Sequence, residues 1–160
     1  MSGITGRESI QVVLYHPGRG KGDEMNDLNS LVEAAVHSIH VDPSRKEVRI
    51  ELSYAGSDKK AVLFAGGVDD FVADEMRLSN VVDRVKVFGA EEDADSSTAN
   101  CLFYLMRGRL PDAGELEWPA LQDRLTAIRS GALTLLELEP VYGAKVLLLA
   151  RVIELQLLEG

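Results

Sequence analysis

An α+β fold is predicted, with a mostly antiparallel meander sheet of about five to seven strands and one or two covering helices. Three features of the sequence predict it. The run Glu47-Val48-Arg49-Ile50-Glu51-Leu52-Ser53-Tyr54 alternates without error, so that Val48, Ile50, Leu52 and Tyr54 share one face of a strand and the polar residues the other. A strand with one wet face belongs to an antiparallel sheet, because parallel strands are normally covered on both sides. The turns Asp42-Pro43-Ser44-Arg45-Lys46 and Ala55-Gly56-Ser57-Asp58-Lys59 on either side are too short for a crossover, so the strands they join are antiparallel neighbours. Finally, Trp118-Pro119 opens a helix that runs to Ser130. Proline suits a first helical position, Leu121, Leu125 and Ile128 recur at four and three, and Gly131 stands where a left-handed C-terminal residue belongs.

The remaining elements follow in chain order. Ile10 to Tyr15 reads as a strand, broken by the loop His16-Pro17-Gly18-Arg19-Gly20-Lys21-Gly22. Apolar residues at spacings of three and four from Met25 to Ile39 are interrupted by Asn26, Asp27, Asn29 and Ser30, which limits the helix to about Asp27 to Glu33. A strand from Ala35 to Val41 then feeds the hairpin into residues 47–54. Lys60 to Ala65 is the next strand, Gly66-Gly67 permits a bend or bulge, and Val68 to Met76 continues irregularly. Val81 to Phe88 is a one-sided strand, and Glu91-Glu92-Asp93-Ala94-Asp95 a solvated acidic loop. Ser96 or Ser97 caps a helix through Met106, with Cys101, Leu102, Leu105 and Met106 inward and Gly108 ending it; a strand over Cys101 to Met106 is the alternative. Leu133 to Glu139 reads as a strand and Pro140-Val141-Tyr142-Gly143 as a turn. Ala144 to Leu158 is apolar almost throughout, so periodicity does not separate strand from helix, but the tight turn before it favours a hairpin. The predicted core is Val48, Ile50, Leu52, Val62, Phe64, Val85, Val87, Leu121, Leu125, Ile128 and Leu138.

Composition bounds the function. A chain of 160 residues, 46% hydrophobic and 27% charged, is predicted to form one globular domain over 1–160, with residues 1–8 flexible. The single cysteine, Cys101, allows neither an internal disulfide nor a Cys-rich metal site, which fits a reducing, cytoplasmic setting. No apolar run approaches the roughly 18 to 20 residues of a membrane span, so no membrane partner is expected. Seventeen basic residues against twenty-six acidic give a net charge of −9, which repels nucleic acid and favours a basic partner.

Two stretches invite chemistry. Gly18, Gly20, Lys21 and Gly22 follow a strand, as phosphate-cradling loops do, but the spacing is neither a dinucleotide fingerprint nor a P-loop, and a flexible turn with no cofactor is the simpler reading. His37, His40 and Asp42 are candidate metal ligands. On a strand the odd separation sends the two histidines to opposite faces, so no metal is expected. Carboxylate pairs such as Asp69 with Asp74, or Asp83 with Glu51, arise by chance among so many acids, and the sequence holds no hydrolase elbow, zinc-protease helix, Walker loop or kinase set.

The cadence of Val62 to Val87, with its Gly67-Val68 pair, acidic piece and Asn80-Val81-Val82, resembles small bacterial immunity and other α+β interaction domains over less than half the chain. The resemblance implies binding. The leading expectation is therefore a non-catalytic protein-interaction or regulatory domain. The alternatives are a small-molecule or metal-dependent enzyme using the loop 16–22 with nearby His and Asp, and a structural subunit. Two partner surfaces are expected: Asp69, Asp70, Asp74 and Glu75 for a basic partner, and Leu147 and Leu149 for a homodimer. The second rests on an open sheet with free edges and on a last strand apolar on both faces, Val146, Leu148 and Val152 on one and Leu147, Leu149 and Ile153 on the other. Coverage of that second face by Cys101 to Met106 within one chain is the competing expectation.

Overall fold

A computed structural model describes residues 10–15, 28–89 and 96–158. The alternating run forms β3 (Glu47–Ser53), whose Val48, Ile50 and Leu52 are buried while Arg49 and Glu51 face water. Its antiparallel neighbours are β2 (Ala35–Asp42) and β4 (Lys60–Asp74), as the short turns require. β5 (Val81–Phe88), β6 (Thr134–Tyr142) and β7 (Lys145–Leu158) form a second antiparallel meander. Two helices, α1 (Ser96–Arg107) and α2 (Pro119–Arg129), lie between β5 and β6 in the chain. The fold is α+β with a mostly meander sheet of seven described strands.

The two meanders are joined along β4 and β7, which pair from Lys60↔Leu158 to Asp74↔Lys145. They meet again where β2 touches β5 at Ala35↔Val81, a contact prolonged by Val36 N–H donating to the Asn80 carbonyl at 2.8 Å and Val82 N–H to that of Ala34 at 3.0 Å. Six strands thus close into a ring, and β1 (Ile10–Tyr15) runs beside the second half of β7. This corrects the expected open sheet: closure removes most of the edges on which strand pairing with a partner was argued.

A change of phase in β4 and β7 makes closure possible. In β4, Ala61, Leu63 and Ala65 point into the ring, then Val68, Phe71 and Ala73 do; in β7 the inward set is Val146, Leu148 and Ala150, then Ile153 and Leu155. The switch falls at Gly66-Gly67 and at Arg151-Val152, which pair with each other, Gly67 adopts φ +59° there, and a bulge between Val68 and Asp70 shifts β4 once more so that Phe71 and Ala73 point inward. The glycine pair was legible as a bend. Its effect on the partner strand was not, and the expected faces of β7 are corrected accordingly: Ile153 is inside with Val146, and Val152 is outside. Val62 is buried as predicted, but Leu63 rather than Val62 joins the cluster inside the ring, and Phe64 is corrected to half-buried.

The ring encloses one apolar cluster, plugged at one end by Leu28, Leu31 and Ala34. Of the expected helix at 27–33, only Leu28 and Asn29 are helical among the described residues; turns follow, ending at Glu33 in the left-handed region (φ 69°). A second cluster lies outside the ring, where Leu102, Phe103, Leu121, Leu125 and Ile128 of the helices pack on Leu135, Leu147 and Leu149. The α1 region is a helix, as the cap signal predicts, and residues 145–158 are a strand, as the hairpin reading predicts. Ile50, with no exposed surface, is a direct probe of the ring interior. Urea unfolding of Ile50→Ala should show a loss of about 2 to 5 kcal/mol, whereas Arg49→Ala on the wet face should change stability by less than about 0.5 kcal/mol.

Candidate functional site

The residues singled out from sequence do not converge. A register shift between Val36 and Ser38 makes His37 the extra residue of a bulge, where its ring nitrogen bonds the Ser53 hydroxyl. His40 stands opposite Arg49 and, because the bulge shifts the alternation, shares the outer wall with His37, which corrects the expectation of opposite faces. Asp42 caps its own turn: Oδ1 accepts from the Ser44 hydroxyl at 2.7 Å and from the Ser44 and Arg45 N–H groups at 3.1 Å, and these bonds, that from the hydroxyl first, hold its carboxyl below the usual range. Among the described residues no three His, Cys, Asp or Glu side chains are grouped to hold a metal ion. Gly18, Gly20, Lys21 and Gly22 lie outside the described residues.

The expected acidic surface is largely occupied from within. Asp69 accepts from Arg124 Nε at 2.7 Å, and Asp74 accepts the Tyr104 hydroxyl proton. Asp70 is half-buried, and burial first, with the Asp69 charge adding, pushes its carboxyl up. Glu75 remains exposed, in the left-handed region at φ 58°. Leu147 and Leu149 are wholly enclosed by the helices, so the docking surface expected there is corrected to an internal layer, the competing expectation having won.

Beneath α1 lies a polar cluster that the sequence did not announce. Glu137 is only 5% exposed, although β6 places it on the outer face between two lysines: its carboxylate is 3.6 Å from Lys86 Nζ and 3.5 Å from Lys145 Nζ, and it accepts a 3.4 Å hydrogen bond from the Cys101 thiol. Burial, with the negative Glu137 beside it, pushes the thiol pKa up to about 12. At neutral pH Cys101 is therefore a protonated, weakly nucleophilic packing residue. The alternation in Leu133 to Glu139 was the available signal, since it puts Glu137 opposite Lys86 once β5 and β6 are in register. Further along α1, Trp118 packs edge-on to Phe103 (6.2 Å, 73°) in a cleft of about 440 Å³. Arg107 lies over the Trp118 ring at 5.3 Å.

The most distinctive surface is the rim where the β4–β5 loop meets the β6–β7 turn. Asn80, buried to 2%, ties the two together: Oδ1 accepts from Ala144 N–H at 2.9 Å and Arg77 N–H at 3.0 Å, and Nδ2 donates to the Arg77 carbonyl at 2.7 Å. Gly143, at φ +86°, lets the turn approach, since a Cβ there would lie 2.6 Å from the Ser79 carbonyl oxygen. The Arg77 guanidinium sits 5.5 Å from the centre of the Tyr142 ring. On this base Leu78 (106% exposed), Val141 (64%), Tyr142 (54%) and Met76 (45%) all face water. From sequence, residues 77–80 read as a connector; a leucine in a polar connector was the only hint.

Two outcomes check these assignments. Cys101 should resist alkylation at pH 8 in native buffer and react fully in denaturant. Asn80→Ala, which strands the Ala144 and Arg77 donors, should lower unfolding stability by about 1 to 3 kcal/mol. Comparison with protein-family models, curated proteins and solved structures finds no match to this chain.

Proposed function

We propose that the chain is a non-catalytic protein-interaction domain that engages its partner through the apolar rim of Met76, Leu78, Val141 and Tyr142. The observation that carries this reading is the exposure of four large apolar side chains on a base tied by a buried asparagine. Clustered exposed apolar residues mark contact surfaces, because their hydration is unfavourable until a partner covers them. A rim already held in place loses little conformational freedom on binding, so more of the burial energy goes into affinity. Arg77, stacked on Tyr142 and free of carboxylate partners among the described residues, suits a partner that offers an apolar pocket beside an acidic group. The enzyme reading has less support, since His37 and His40 lie on the outer wall of β2 while Asp69 and Asp74 are engaged by Arg124 and Tyr104.

A photo-crosslinking residue placed at position 78 tests the proposal without disturbing packing, because Leu78 touches solvent on all sides. We expect a discrete protein adduct in cells that disappears with Val141→Asp or Tyr142→Asp, and none from the same probe at Arg49. Equal adducts from both positions, or none from position 78, would contradict the reading. Light scattering identifies self-association: a dimer abolished by Leu78→Asp makes the partner a second copy.

A further inference from the structure

At the phase switch of β4 and β7 the register brings cations together. Arg151 stands opposite Gly67 on one side, between the pairs Gly66↔Val152 and Val68↔Ala150. On the other side Lys46 continues the β3–β4 ladder past Val48↔Ala65, its carbonyl accepting from Val68 N–H at 2.9 Å. Lys46, Gly67 and Arg151 thus form one row, and the Arg151 stem fills the space over the glycine, where a Cβ at position 67 would approach its Cδ to 2.9 Å. Arg45 adds a third cation from the turn, and together these residues line a cavity of about 420 Å³ with an apolar wall at Ala127, Ala132 and Leu133.

No salt bridge among the described residues closes over these cations. Asp69 also lines the cavity, but its carboxylate is held by Arg124 at 2.7 Å. Asp42, on the Arg45 turn, is bonded to Ser44 and to the Arg45 N–H and feels the Arg45 charge without an ion pair to it. Among the described residues, Arg45, Lys46 and Arg151 form no ion pair, a state they share with dispersed cations such as Arg49 and Arg129, but these three line one cavity. This chain has acids to spare at a net −9, yet none of the described ones forms an ion pair with these three cations. Lys46 also sits at φ 54°, a conformation that glycine or asparagine adopts more readily.

We infer that this cavity, lined by Arg45, Lys46 and Arg151, binds a phosphate group, free or carried on a small molecule. Two guanidinium forks and an ammonium match the several oxygens of a phosphate better than a single carboxylate. The cavity has the size of a small-molecule site, and the overall negative charge opposes a polymeric phosphate backbone.

NMR titration of the whole chain with inorganic phosphate and with phenyl phosphate tests this. We expect saturable shifts of the Lys46, Gly67 and Arg151 amides, and affinity at least about tenfold weaker in Arg151→Gln and in Lys46→Asn. Lys46→Asn should meanwhile keep or raise the melting temperature, which separates lost binding from lost folding. Tighter binding of phenyl phosphate assigns a phosphorylated small molecule; equal binding assigns the free anion. The inference is overturned if neither probe shifts those amides at millimolar concentration, or if the shifts survive both substitutions.

Discussion

Everything in this molecule is arranged about one strand that is buried on both faces. Val146 and Leu148 of β7 point into the ring, and Leu147 and Leu149 lie under the helices. A strand of this kind loses water from two sides at once, and its successive residues recruit apolar partners from the two layers in turn. The inward side needs a closed ring of strands, and the outward side needs α1 and α2. Neither layer could form its cluster without β7, and the full-length pairing with β4 keeps both in register.

That dependence explains where charge is tolerated. Glu137 stands in the row of β6 next to Leu147 and is covered by α1, so it must be neutralised within reach, and Lys86 and Lys145 do so from the flanking strands. On the far side of the ring no helix of the described residues covers β2 and β3, and their outer face carries His40, Arg49 and Glu51 in water. Function is consequently left to what the two-layer core does not absorb. The rim around Leu78 and the cationic cavity beside Gly67 are such places, one apolar and exposed, the other charged and unpaired. They lie on different loops, so occupation of one does not by itself obstruct the other.

The pattern of residues 47–54 was enough to place β3, its turns and its neighbours, because alternation is a local property of one strand. The helix at Pro119 was equally legible from its end signals. Closure was not, because it depends on where β2 and β5 touch and on the joint phase switch of Gly66-Gly67 with Arg151-Val152. Those residues are far apart in sequence, and neither pair announces the other. Misplacing Ile153 and Val152 follows from extending one alternation through that switch, whereas taking Val62 and Phe64 as inward was a choice of face within 60–65 that alternation alone does not decide. The apolar excess of β7 was visible, but two coverings were compatible with it, and the intramolecular one is realised. Among candidate site residues, types were readable and distances were not: Asp69 and Asp74 looked available until Arg124 and Tyr104, fifty-five and thirty residues away, were brought beside them.

The claim that β7 is the shared support of both layers is tested most directly by native-state hydrogen exchange resolved by residue. Amides of residues 146–150 and of their β4 partners should exchange only through global unfolding and be the slowest in the chain, with β2 and β3 opening at lower free energy. Exchange at 146–150 that is faster than in β2 and β3, or that separates from the protection of α1 and α2 under mild denaturant, would contradict it.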